Sequence, residues 1–255
     1  MKTCSVPCKP KCSKPEKKGC SSCSPMEGKD YPILAIGKKN LKHKALKSDL
    51  RLYGQETVYA YIITTVFDHD GVFRQEGSAP NFEGGVCTLC TCKHWMRTYQ
   101  SAEKWRNGFW VAGFSSLPQT GQHNLLYIMR IAEAHEDYFD LWKNSKILTA
   151  GIKKQKSTAR NVLGDLYEPL HGDHLNSQEF FSYKPPVDGH VHTKNDQIKD
   201  IRTKKNYSKI SPLLVGDPGH TYTWSGPLIQ GPDHIGRNCN RWTIADFLTK
   251  VKISS

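Results

Sequence analysis

Four residues that favour soft metals crowd into eight positions of this chain. Cys87-x2-Cys90-x-Cys92-x-His94 has the ligand types and the ligand number of a zinc centre. The spacing works against one. On an extended strand Cys90 and Cys92 share a face, and Cys87 takes the other. A helix starting near Thr91 would bend the geometry back; otherwise these are buried, inert thiols. A nucleophilic cysteine needs a lowered pKa, and Lys93 and His94 are the nearest groups that hint at one. Cys87, Cys90, Cys92 and His94 are therefore the metal candidates of the body. Zinc is the one cofactor they suggest, and no other is expected.

Histidines form a second concentration, at His171, His174, His190, His192, His220 and His234. His190 and His192 are two apart, so on a strand they share one face and suit a metal or a polar pocket. Neither H-E-x-x-H nor H-x-E with C-x-x-C is present, which removes the common metallohydrolase and zinc-deaminase signatures. A basic run covers 194–209, KNDQIKDIRTKKNYSK, with six Lys/Arg against two Asp. Beside a pocket mouth it would track phosphate; alone it is a solvated face. There is no P-loop, no GxGxxG, no G-x-S-x-G and no kinase signature. Nucleoside-triphosphate hydrolysis, NAD chemistry and serine hydrolysis lose their support.

The N-terminus reads differently from the rest. Residues 1–56 hold 13 Lys/Arg against 5 Asp/Glu, and residues 57–255 hold 23 against 19. Most of the net charge of +12 therefore sits in the first 56 residues. Such an arm attracts phosphate without reading sequence, or is simply a solvated tail. Cys4, Cys8, Cys12, Cys20 and Cys23 lie there among Lys, Pro and Ser. They could bind zinc, but their spacing matches no standard finger; a flexible Cys-rich tail is the alternative. No apolar segment follows Met1 and no run approaches 18 apolar residues, so neither an export signal nor a membrane span is expected, and the cytoplasm is the default location.

Elements that must position these residues begin near Gln55. TVYAYIITTVF (57–67) is β-branched and aromatic, a strand. Asp68-His69-Asp70-Gly71 is a turn, and 75–86 is a Gly/Pro/Asn loop. A helix should follow the cysteines to about Trp105. Strands are expected at 108–115 and 124–134, a helix at 136–147, a Lys-rich loop at 151–160, and two short strands at Leu213–Val215 and Tyr222–Trp224. Residues 38–52 read as a basic amphipathic helix or a linker. Thr243 should cap a C-terminal helix whose face is Ile244, Phe247, Leu248 and Val251. Strands without regular helical alternation disfavour a doubly wound sheet. The class is α+β: a small β-barrel or curved mixed sheet with peripheral helices, preceded by a disordered, basic, Cys-rich arm. The division is an extension over 1–50 and a folded domain with a C-terminal helix over 51–255.

Several segments carry a resemblance. YAYIITT, SAPNFEGGVCTLCTCK, GFWVAGFSS, LLYIMRIAEA, DYFDLW, GDLYEP, HVHTKND and PLLVGD occur in this order. Together, over Thr57 to Pro232, they resemble the second type of nucleotide modification associated domain. The family's G-D-N-hydrophobic-Tyr turn is similar to Gly164-Asp165-Leu166-Tyr167, without the Asn. Its S-x-H element is similar to His190-Val191-His192, with His192 the matched position. The resemblance implies a PUA-like fold, related to ASCH-like and EVE-like domains, and a setting beside DNA base modification genes in phages and mobile elements. It implies a concave pocket for a base.

A base needs a π-surface and a few fixed polar groups. Trp110, Tyr167, Trp95 and Trp224 are aromatic candidates. Asn81 offers an amide for a base edge, with Thr88, Ser115, Asp165 and His192 as further polar groups, and Lys93 and Arg97 to reach phosphate. The expected function is a nucleic-acid- or nucleotide-binding module for a modified base, with DNA or a nucleotide as partner. The alternative is an enzyme acting on a nucleotide base during hypermodification, drawing on Cys87, Cys90, Cys92, Asp165 and His192.

Overall fold

The computed structural model describes residues 31–32, 38–76, 79–156, 166–170, 211–236 and 238–253. The N-terminal cysteines, the expected disorder of the first 30 residues, Asp165, His190, His192 and the 194–209 run lie outside them. In chain order the strands are β1 (Tyr31–Pro32), β2 (Lys38–Lys39), β3 (Thr57–Ile63), β4 (Val66–His69), β5 (Val72–Gln75), β6 (Thr88–Leu89), β7 (Phe109–Ser115), β8 (Leu125–His135), β9 (Leu213–Thr223), β10 (Ile229–Gln230), β11 (Asn240–Thr243) and β12 (Lys252–Ile253). The helices are α1 (His43–Leu50), α2 (His94–Arg97), α3 (Ala102–Trp105), α4 (Leu117–Thr120), α5 (Tyr138–Asn144), α6 (Ala150–Lys156) and α7 (Ile244–Lys250).

The fold is mixed α+β around one curved sheet, ordered β11-β3-β7-β8-β9-β2, with β6 paired to β9. Among the described residues no pair joins its two ends, so of the two architectures expected the open curved sheet is the one formed. Register shifts between Met129 and Ile131, and between Ile131 and Glu133, mark bulges in the β8–β9 pairing, the device that bends a sheet. β3 and β7 run parallel at its centre, from Thr57 opposite Phe109 to Ile63 opposite Ser115.

Both faces of that centre are buried, which explains the nearly unbroken apolar run TVYAYII. Tyr59, Tyr61 and Ile63 enter one core with Cys87, Leu89, Met96, Trp105, Tyr127 and Met129. Val58 and Ala60 enter the other, with Trp110, Phe114, Tyr222 and Trp224. A third cluster gathers Cys90, Tyr138, Leu141, Tyr167 and Val215. The helices close these cores: α1 through Leu46 and Leu50 and α7 through Ile244, Phe247 and Leu248, all in the second. Gly113 lets β7 pass close to the Tyr127 ring, where any Cβ would collide; the same Cβ would stand 2.7 Å from Ile63 Cδ1.

The C-terminal cap forms as expected, with the Asp246 N–H donating to Thr243 Oγ1 at 3.0 Å. Four expectations change. The strand expected over 57–67 is two, β3 and β4, parted by a turn at Thr64 and Thr65. The helix after the cysteines is two helices: the first ends at Arg97 with Thr98 as its C-cap, and Ser101 caps the second by accepting from the Lys104 N–H. The Lys-rich loop at 151–160 contains α6 over Ala150–Lys156, anchored at its end by a fully buried Lys156. The two short strands near 213 and 222 are one, because Asp217-Pro218-Gly219 is accommodated within β9 instead of ending it.

Candidate functional site

The connection from β3 to β7 carries both the Asn81 loop and the cysteine motif. In the loop, Asn81 and Thr88 pair as a bridge, each backbone N–H donating to the other's carbonyl at 3.0 Å. Asn81 Oδ1 accepts from the Glu83 N–H at 2.9 Å, and Asn81 Nδ2 donates to the Lys156 carbonyl at 3.2 Å. Lys156 returns the contact: its Nζ donates to Val86 O at 2.6 Å, Asn81 O at 2.9 Å and Thr88 Oγ1 at 3.2 Å. Asn81 and Thr88 are thus buried around an ammonium, and they hold the loop to α6.

Next along the chain, the cysteines diverge. Cys87 enters the first core and Cys90 the third. Among the described residues no three His, Cys, Asp or Glu side chains come together as a metal site. Cys92 and Lys93 then take the left-handed conformation consecutively, at φ 52° and 44°. Two adjacent non-glycine residues there are costly, and such strain collects at functional sites. Arg97 fixes the turn from within. Fully buried, it donates through Nε to Cys92 O at 3.0 Å and through Nη1 to Ser211 O at 3.2 Å and Pro212 O at 2.7 Å.

The turn sets the Lys93 ammonium 5.1 Å from the centre of the Tyr61 ring. Burial lowers the Lys93 pKa, against the opposing pull of the Cys92 and Cys239 thiols. Burial raises that of Cys239, and Lys93 counteracts it. Beyond the turn, Trp95 and Tyr99 are each 47% exposed. Tyr99 stacks on Tyr59 at 6.0 Å, and the Arg241 guanidinium lies 5.9 Å from the centre of the Tyr59 ring. Tyr59 and Tyr61 share one face of β3, so aromatic rings and cations line up over that face: Lys93 with Tyr61, then Arg241 and Tyr99 with Tyr59.

Other expected site residues lie elsewhere. Trp110 is buried in the second core, donating Nε1 to Glu56 Oε2 at 2.6 Å. Trp224 is buried beside it and donates to Leu41 O at 2.9 Å. Ser115 organises the turn before β8, accepting from the Asn124 N–H at 2.9 Å. Tyr167 meets Tyr138 edge-on at 5.2 Å in the third cluster. Of the named candidates, the structure brings Asn81 and Thr88 together, and Lys93 and Arg97 around one turn.

Two polar constellations had no motif to announce them. Tyr53 Oη lies 2.7 Å from His220 Nε2, and His220 Nδ1 lies 2.8 Å from Asp217 Oδ2. Alongside, Arg130 grips Glu56 with two bonds, Nε–Oε2 at 3.0 Å and Nη2–Oε1 at 2.7 Å. In the second, His135 sits between Asp140, 3.0 Å from Nδ1, and Glu133, 3.2 Å from Nε2. Glu133 also receives the Ser145 hydroxyl at 2.5 Å and the N–H groups of Lys146 and Ile147. Only the Asp-Pro-Gly-His turn at 217–220 gave any sequence signal, through its histidine.

A family model described as nucleotide modification associated domain 2 matches residues 55–211, more than half of the chain. No curated protein and no solved structure matches. The matched span contains the Asn81 loop, the cysteine motif, Lys93 and Trp95. Tyr53, Asp217, His220 and Cys239 fall outside it.

Proposed function

Because the chain belongs to the nucleotide modification associated domain 2 family, we propose that it is a nucleotide- or nucleic-acid-binding module, receiving a base, modified or not, in a PUA-like site. Its role would lie in DNA base modification or the recognition of its product. The observation that carries the reading is Lys93. A desolvated ammonium held over a tyrosine ring, on a strained turn, is a fixed positive charge beside π-surface. Exposed Trp95 and Tyr99, just beyond that turn, offer the stacking that bases use regardless of sequence. Asn81, Thr88 and Arg97 act in this reading by holding the loop; Lys93 and the aromatics touch the ligand.

The test uses Trp95 fluorescence. Trp105, Trp110 and Trp224 are fully buried, whereas Trp142 and Trp242 are half-buried, so the measurement is made in a Trp142→Phe/Trp242→Phe background, where quenching by a ligand at this site reports mainly on Trp95. Single-stranded oligonucleotides and mononucleotides with unmodified, methylated and hydroxymethylated bases should quench it saturably. Lys93→Gln, read by this quenching, and Trp95→Ala, read by anisotropy of a labelled oligonucleotide, should each weaken binding by about 5- to 100-fold, the range of one stacking or desolvated cation contact. Binding that survives both substitutions sinks the reading.

An enzyme acting on a nucleotide base is the second reading. It is favoured by the carboxylate–imidazole–phenol chain of Asp217, His220 and Tyr53, an arrangement that can move a proton. Base turnover lost in both His220→Asn and Tyr53→Phe would select it.

A further inference from the structure

Helix α1 and its flanks lie N-terminal to the family-matched span, and the site just described does not use them. Between Lys39 and Arg51 the chain places Lys39, Lys42, Lys44, Lys47 and Arg51 against one acid, Asp49. All five cations are exposed. Burial, and then the ammonium of Lys47, lower the pKa of His43, so the charge of the segment comes from its Lys and Arg.

The helix is fixed in place. Leu46 and Leu50, four apart, are fully buried in the second core. Asn40 continues the anchorage, its N–H donating to Thr223 O at 2.8 Å and its Oδ1 accepting from the Ser225 N–H at 2.9 Å. Lys44, Lys47 and Arg51, spaced three and four apart, therefore form one rigid outward ridge. At 1.5 Å per residue the ridge is about 10 Å long. One strand of a duplex presents a phosphate every 3.4 Å of axis, so about three phosphates span that length. A basic amphipathic helix also suits an acidic membrane, but only when its apolar face is free to enter the headgroups. Here that face is spent on the protein core.

We infer that the Lys44–Lys47–Arg51 ridge, on α1 and the first residue after it, is a docking surface for the phosphate backbone of a nucleic acid, separate from the Lys93 site and indifferent to base identity. The inference rests on the nucleic-acid reading given above, and supplies its sequence-independent half.

The experiment measures binding of the full chain to a 20-base-pair duplex by fluorescence anisotropy over a range of salt concentrations. Lys44→Gln/Lys47→Gln is compared with Lys143→Gln/Lys154→Gln, which removes the same charge from exposed positions on α5 and α6. Each phosphate contact contributes about −0.9 to the salt slope. The α1 variant should lose about 1.8 from the slope, and about 60-fold in affinity at 0.1 M salt, while the control pair stays within a factor of about 3. Its response to a modified base should be that of the parent. Equal effects from the two variants would reduce the ridge to general charge and overturn the inference. So would an unchanged slope, or an α1 variant that loses binding to phosphatidylserine vesicles while keeping the duplex. Trp95 quenching by mononucleotides keeps the two proposals apart. If it persists while the ridge fails, only the inference falls; if neither ligand binds, both fall.

Discussion

Lys156 should hold the Asn81 loop in place more firmly than any other single side chain, and Lys156→Met tests this. Met keeps most of the aliphatic stem and removes the ammonium. Its three shortest bonds, to Val86 O at 2.6 Å, Asn81 O at 2.9 Å and Thr88 Oγ1 at 3.2 Å, go with it. A hydrogen bond from a charged group contributes about 1.5–3 kcal/mol, so three amount to about 4.5–9 kcal/mol. Against that stands relief from burying an ammonium, which costs several kcal/mol. The net loss should be about 3 kcal/mol, in line with removing one partner from a buried polar set. For a chain of this size that is a fall in Tm of roughly 6–12 °C. Thr88→Val removes only the longest of the three and should cost about 1 kcal/mol. In the double variant the Thr88 cost should vanish, because its donor is already gone. The assay is urea unfolding followed by circular dichroism. A Lys156→Met protein within about 1 kcal/mol of the parent would refute the idea that an ammonium fastens this loop.

Three further outcomes are expected. Gly113→Ala should destabilise by about 1–3 kcal/mol, since its Cβ meets the Tyr127 ring and Ile63 in a packed core; a thermal melt decides it. Burial pushes the pKa values of Glu133 and Asp140 up. Hydrogen bonds outweigh it and hold both below the ordinary carboxylate range: from Ser145, His135 and two backbone N–H groups to Glu133, and chiefly from Asn144 and His135 to Asp140. A folded pKa below the unfolded one gives stability that is present above the ordinary carboxylate pKa of about 4 and is lost as pH falls below it through the depressed folded value, so Glu133→Gln should flatten the acid limb of a stability–pH curve. Lys93→Gly should stay within about 1 kcal/mol of the parent, because relief of a left-handed residue offsets the added chain entropy, while nucleotide-induced quenching drops. A large loss of stability there would show that the turn is not strained.

The central strands were legible because burial on both faces leaves a run such as TVYAYII nearly all apolar. The Thr243 cap was legible because capping is local: donor and acceptor are three residues apart. α6 was not, since its seven residues offer Ile152 as the one apolar contact and its anchor is a lysine. The continuity of β9 was hidden by Asp217-Pro218-Gly219, which reads as a break until a bulged partner absorbs it. At the site, residue types were visible and relations were not. Asn81 lies 75 residues from Lys156, and Tyr53 lies 167 from His220. Nothing local in either segment announces the other. Arg97 and Trp110 were sought for a ligand on the strength of their chemistry, and their first task is to satisfy carbonyls and a carboxylate inside the protein. His220 was noted as one of many histidines, and its carboxylate was three residues away.

The parallel pairing of β3 with β7 has a consequence for how the candidate site comes into being. Parallel neighbours cannot be joined by a tight turn, so the chain must leave the sheet and return. Residues 64–108, with the Asn81 loop, the cysteines, Lys93 and Trp95, are that excursion. The site is therefore a by-product of closing the middle of the sheet and has no independent existence as a hairpin or helical unit. Its amides should exchange with solvent deuterium at the slow pace of global unfolding, alongside those of β3 and β7, instead of fraying first as surface loops do. A ligand seated there would in turn raise the resistance of the whole molecule to proteolysis, because clamping the excursion clamps the two strands it connects.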